Sequence, residues 1–113
     1  MRTIEREIVD ALHSNRTKGE RRFSRRDRVE YTEGGASYTL WNTIVAIYDR
    51  AEKTITIYSG GYHTVTTKGR INAILRGFNI PAGVYQKDFQ WHIEGEHAGE
   101  YRDGLTFNLE RPI

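Results

Sequence analysis

Residues 57–80 read Ile-Tyr-Ser-Gly-Gly-Tyr-His-Thr-Val-Thr-Thr-Lys-Gly-Arg-Ile-Asn-Ala-Ile-Leu-Arg-Gly-Phe-Asn-Ile. A strand ends at a Gly-Gly turn, a Thr-rich segment follows, and a helix is predicted over 67–77. Ile71, Ile74, Leu75 and Phe78 recur at i, i+3, i+4 and i+7, a single apolar stripe suited to packing on a sheet. Thr66 or Thr67 can N-cap this helix, Gly77 can end it, and Pro81 forbids its continuation. A helix lying on strands is the decision this stretch makes about the fold.

The flanking sequence supplies the strands. Val29 and Tyr31 begin one, and Glu33-Gly34-Gly35 provides a hairpin turn. Residues 36–48 are apolar or β-branched on both faces, as expected of a central strand buried on two sides. Asp49-Arg50-Ala51-Glu52 makes a second turn, and Lys53–Tyr58 alternates Ile55 and Ile57 against Thr54 and Thr56. Turns this short join antiparallel strands. Tyr85, Phe89, Trp91 and Ile93 read as one face of a further strand, and Tyr101, Leu105, Phe107 and Leu109 as one face of the last. Upstream, Ile4, Ile8, Ala11 and Leu12 predict an amphipathic helix over 3–13. The expected fold is α+β in one domain: a curved antiparallel sheet of about five or six strands over 29–113, one packed helix, and an N-terminal helix with a basic arm over 1–28.

Composition narrows the class. A chain of 113 residues supports one modest core, to which two Trp, seven Tyr and four Phe contribute large areas. No apolar run is long enough to span a bilayer, and the charged N-terminus lacks a signal-peptide core. With no cysteine there are no disulfides, thiolate metal sites or cysteine nucleophiles. A soluble intracellular protein without a cofactor or membrane partner is the expectation. The formal charge of +2 conceals a polarity. Between residues 16 and 28 stand Arg16, Lys18, Arg21, Arg22, Arg25, Arg26 and Arg28 against only Glu20 and Asp27, whereas 94–110 carries five acids against Arg102. Such polarity suits docking on an acidic surface, or pairing of the two segments with each other.

Four candidate sites follow, each with a plainer alternative. The arm at 16–28, read as a loop or mobile segment, could grip phosphates or carboxylates, since arginine favours bidentate contacts, and Phe23 could stack on a base. Its alternative is a solvated or internally paired loop. The helix start, with Thr66, Thr67, Lys68 and Arg70 beside Tyr62, could bind an anion through backbone amides, hydroxyls and cations. Here the alternative is a capped helix whose Arg70 pairs with a carboxylate. His92, Glu94 and Glu96 alternate on one strand face near His97 and could hold a divalent metal, or simply face solvent. His63 could act as a general base near Lys68 and Arg70, or be a structural or merely exposed turn histidine, since no second His or carboxylate has a clear place beside it.

The run Thr39-Leu40-Trp41-Asn42-Thr43-Ile44-Val45-Ala46, followed by Gly61-Tyr62-His63-Thr64-Val65-Thr66-Thr67-Lys68-Gly69-Arg70-Ile71-Asn72, resembles a family of small bacteriophage proteins with the pattern Gly-(Trp/Tyr)-x-Thr-x-Thr-Thr-(Lys/Arg)-x-Arg-(Leu/Ile)-Asn. The resemblance spans roughly residues 22–78. It implies a phage origin and the cytoplasm of the host cell, and it assigns no catalytic residue. The expected function is that of a non-enzymatic binding protein engaging a host protein, nucleoprotein complex or defence nuclease, an anti-CRISPR inhibitor being the concrete version. Direct DNA or RNA binding is the alternative, and a small nuclease the third. A sheet edge could also pair with a second copy to give a homo-oligomer.

Overall fold

The computed structural model describes residues 1–110. Helix α1 (Thr3–His13) precedes strands β1 (Glu20–Arg22), β2 (Asp27–Thr32), β3 (Gly35–Leu40), β4 (Thr43–Asp49) and β5 (Thr54–Ile57). Helix α2 (Val65–Gly77), β6 (Ala82–Lys87), β7 (Gln90–Gly95), β8 (Gly99–Glu100) and β9 (Leu105–Asn108) complete the chain. The α+β class holds, with two helices and antiparallel strands divided between two sheets. The larger runs in the order β1-β2-β3-β4-β5-β9, and the smaller is β6-β7-β8.

Register sorts the side chains of the larger sheet. Val29, Tyr38, Ala46, Ile57 and Leu105 align across five strands, and all are buried. The parallel row Tyr31, Ala36, Tyr48, Ile55 and Phe107 faces the same way. These rows form a core with Ile8 and Leu12 of α1 and Ile71, Ile74 and Leu75 of α2. The opposite face carries Glu30, Ser37, Ile47, Thr56 and Thr106 in one aligned row.

Two glycines are dictated by close approach. A Cβ at Gly35 would lie 1.9 Å from the Tyr48 carbonyl oxygen, and one at Gly77 only 2.3 Å from Cγ1 of Val9, where α1 and α2 meet. The smaller sheet is fastened to α2 by Asn72. Its side-chain amide donates to the Val84 carbonyl (2.9 Å) and accepts from the Val84 N–H (2.8 Å), filling the open edge of β6 as a strand would.

Several boundaries differ from the sequence expectation. The stretch 36–48 is a hairpin, broken at Trp41-Asn42, rather than one central strand. Residues 85–93 likewise fold back at Asp88-Phe89, both at left-handed φ (54° and 65°), which leaves Phe89 96% exposed. Large aromatics at positive φ are costly, so the residue types pointed to continuous strand. The cap of α2 is Thr64, whose Oγ1 accepts from the Thr67 N–H at 3.1 Å, and Phe78 rather than Gly77 follows the last turn. The basic arm is partly ordered as β1, which pairs with β2. Ser24 and Asp27 close the intervening turn, the Ser24 hydroxyl donating to Asp27 at 2.6 Å and accepting from its N–H at 3.1 Å.

Candidate binding surface

Arg70 lies on the buried side of α2, because positions 67, 70, 71 and 74 share one face of a helix. Only 2% exposed, it donates from Nε to Asp27 (2.9 Å) and to the Tyr38 hydroxyl (3.2 Å), and from Nη1 to Glu5 (3.3 Å). Tyr38 in turn donates to Asp27. Burial alone would raise the Asp27 pKa, but hydrogen bonds from Arg70, Ser24 and Tyr38 outweigh it and hold the carboxyl below its ordinary range. Burial and the adjacent carboxylate push the Tyr38 phenol upward. This ion cluster ties α1, β2, β3 and α2 together. Arg70 is thus a structural strut and not an outward-facing cation, and Thr67 is equally buried as part of the cap. Thr66 and Lys68 remain half-buried at the helix start.

The remaining basic residues stay near the surface. Arg28 pairs with Glu30 (2.9 Å) and Glu20 (3.7 Å), Arg22 with Glu20 (4.0 Å), and Arg26 with Asp27 (3.5 Å). Arg16 lies 4.6 Å over the Tyr31 ring, and Arg21 lies 4.8 Å over Phe23, which therefore faces a guanidinium. Lys18 and Arg25 have no side-chain partner among the described residues. Ion pairs of the acidic segment 94–110 among the described residues lie away from the arm. They run from Glu110 to Lys53 and from Glu96 to His97.

This basic ribbon ends beside two displayed aromatic rings. The Trp41 N–H donates to the Arg26 carbonyl at 2.6 Å, and Nη1 of Arg28 donates to the Trp41 carbonyl at 3.3 Å. Trp41 therefore sits against the β1–β2 turn, at φ 56° and 60% exposed. A left-handed conformation in a non-glycine residue costs about 1–3 kcal/mol, and such strain gathers at functional positions. Across from it, Gly60 and Gly61 bend the chain so that Tyr62 projects, 62% exposed. Asp103 fixes this bend by accepting from the Ser59 N–H (2.8 Å), its hydroxyl (2.9 Å) and the Gly60 N–H (2.9 Å). Those bonds, with one from Tyr101, outweigh burial and lower the Asp103 pKa. Between Trp41 and Tyr62 opens a cleft of about 250 Å³, with Leu40 and Val45 buried at its base and Asn42, Thr43 and Thr67 on its walls.

Residues 1–108 match the family described as Kyanoviridae Gp96 protein. The chain belongs to this phage protein family. The match extends well beyond the segment resembling phage proteins, taking in α1 and all of β6–β9. No curated protein and no solved structure matches the chain.

In this Gp96 family member the histidines take other positions. His63 stacks on Trp91 with ring centroids 4.2 Å apart, and meets Tyr101 edge-on at 6.0 Å. His92 stacks on Tyr85, and His97 bonds the Thr106 carbonyl at 2.7 Å. Among the described residues no three His, Asp or Glu side chains are grouped to share a metal ion. No helix among them is long and apolar enough to cross a membrane. Trp41, like Phe89, reads from the sequence as a strand-interior residue and stands instead at a turn. The Asn42 beside it, a turn former, was the available signal.

Proposed function

We propose that this phage protein is a non-enzymatic binding protein, acting in the host cytoplasm on a host nucleoprotein or a nucleic-acid-handling defence nuclease. An anti-CRISPR inhibitor is the concrete version. The observation that supports the reading is the meeting of an arginine-rich ribbon with two exposed aromatic rings at one end of the sheet. Aromatic and arginine side chains are the residue types that most often anchor interfaces. Exposed ion pairs such as Arg28–Glu30 are worth at most about 1 kcal/mol. They yield readily to a phosphate or carboxylate from a partner.

Direct binding of DNA or RNA is the second reading. It is favoured by the ribbon's arginine content, which suits bidentate phosphate contacts. Affinity capture from phage-infected host lysate tests both. The bait is the intact protein, compared with a Trp41→Ala, Tyr62→Ala, Arg25→Ala variant, with and without nuclease treatment. Retention of a host nucleoprotein or nuclease by the native chain, and its loss from the variant, is the expected outcome. Identical proteins on both baits would reject this end of the molecule as the binding surface.

A further inference from the structure

We infer that the cleft between Trp41 and Tyr62 receives one unpaired base of a single-stranded nucleic acid, while the adjoining arginines contact its phosphates. This deepens the reading above and rests on it. Three observations carry the inference. The cleft, about 250 Å³, falls below the ordinary range for small-molecule sites, roughly 300–1,000 Å³, and suits a single planar ring. Trp41 and Tyr62, both largely exposed, line the cleft, and stacking on aromatic rings accepts any base. Asn42, exposed among the lining residues, adds a side-chain amide able to bond a base edge.

Charge selects the occupant. The Trp41 backbone N–H donates to the Arg26 backbone carbonyl, and its own carbonyl accepts from Nη1 of Arg28, so the Arg28 guanidinium lies against the Trp41 backbone on the ribbon side. Arg25, in the same turn, has no side-chain partner among the described residues. A ring carrying phosphates on both sides meets these groups better than an aromatic side chain of a protein does. A duplex hides its base faces within the stack, so only an unpaired base can enter.

The two tryptophans make the test direct, because Trp91 is only 3% exposed and lies under His63. Emission of the intact protein is followed during titration with oligo-dT and oligo-rU, a blunt DNA duplex of equal charge, and heparin. Quenching by the single strands, at least about tenfold tighter than by duplex or heparin, is expected. Trp41→Ala and Tyr62→Ala should each weaken single-strand binding by about five- to a hundredfold, read by anisotropy of a labelled oligonucleotide. Arg25→Ala should reduce the slope of log affinity against log salt by about 0.7 for each phosphate that Arg25 neutralises. Circular dichroism checks that these exposed-site variants remain folded.

Equal binding of heparin and single strands, unchanged by Trp41→Ala, would overturn the base site while leaving a polyanion-binding end intact. Absence of all polyanion binding, with nuclease-resistant capture of a host protein still dependent on Trp41, would overturn it in favour of a protein partner. Failure of both assays would remove the inference and the underlying reading together.

Discussion

Arg70 and Arg28 both contact carboxylates at 2.9 Å, yet they belong to different parts of the molecule's economy of charge. Arg70 is shut away with Asp27, Glu5 and Tyr38, so removing one member strands the others in a medium that solvates ions poorly. Arg28 lies on the outer face between Glu20 and Glu30, where water can replace either carboxylate at little cost. The contrast teaches that pairing alone does not tell whether a cation is available. Solvent access does.

The strongest way to break this comparison is Asp27→Ala. It leaves Arg70 without its closest counter-ion, and a loss of about 3–5 kcal/mol in urea unfolding is expected. A loss below about 1 kcal/mol would put both arginines in the same class. Gly77→Ala probes the helix contact beneath the cluster. The added methyl meets Val9, with about 1–3 kcal/mol of destabilisation expected from the shift in thermal midpoint.

Titration sharpens the same contrast. The folded pKa values of Asp27 and Asp103 are depressed, so their contribution is complete above the unfolded carboxylate value of about 3.9 and is lost as pH falls below it. Those of Tyr38 and Tyr101 are raised, so their contribution is complete below about pH 10 and is lost as pH rises past it. Melting temperature should therefore plateau between about pH 5 and 9, with Asp103→Asn flattening the acid limb and, because the Asp103 carboxylate also helps to raise Tyr101, softening the alkaline limb.

Trp41→Gly should leave stability unchanged or raise it by about 1 kcal/mol, because the ring is mostly exposed and the left-handed strain disappears. Binding should fall in the same variant. The smallest effect belongs to Glu30→Gln, under about 1 kcal/mol in stability, with slightly tighter polyanion binding because Arg28 keeps only Glu20 as a counter-ion.

The helices and most inward rows were legible in the sequence, because amphipathic stripes and period-two alternation arise from burial itself. Even the inward turn of Arg70 could be anticipated. It precedes Ile74 by four residues, and the pairing of Arg70 with a carboxylate stood as the alternative to anion binding. The two hairpin turns were not legible. Trp41 and Phe89 favour strands by type, and only tertiary bonds such as Trp41 N–H to Arg26 hold the backbone in the rarer conformation. The order in β1 was hidden for a related reason. Its three residues are all exposed, so pairing with β2 leaves no apolar pattern to read.

The Asn72 amide seated against Val84 and the Arg70 guanidinium seated against Asp27 also set a timetable for the nascent polypeptide. Glu5 and Asp27 leave the ribosome 65 and 43 residues ahead of the cation that joins them. At about 5–20 residues per second, the latter interval lasts several seconds. Through that interval the first half has strands to pair but lacks the buried guanidinium that joins Glu5 to Asp27, so its final locking must await translation of the second helix.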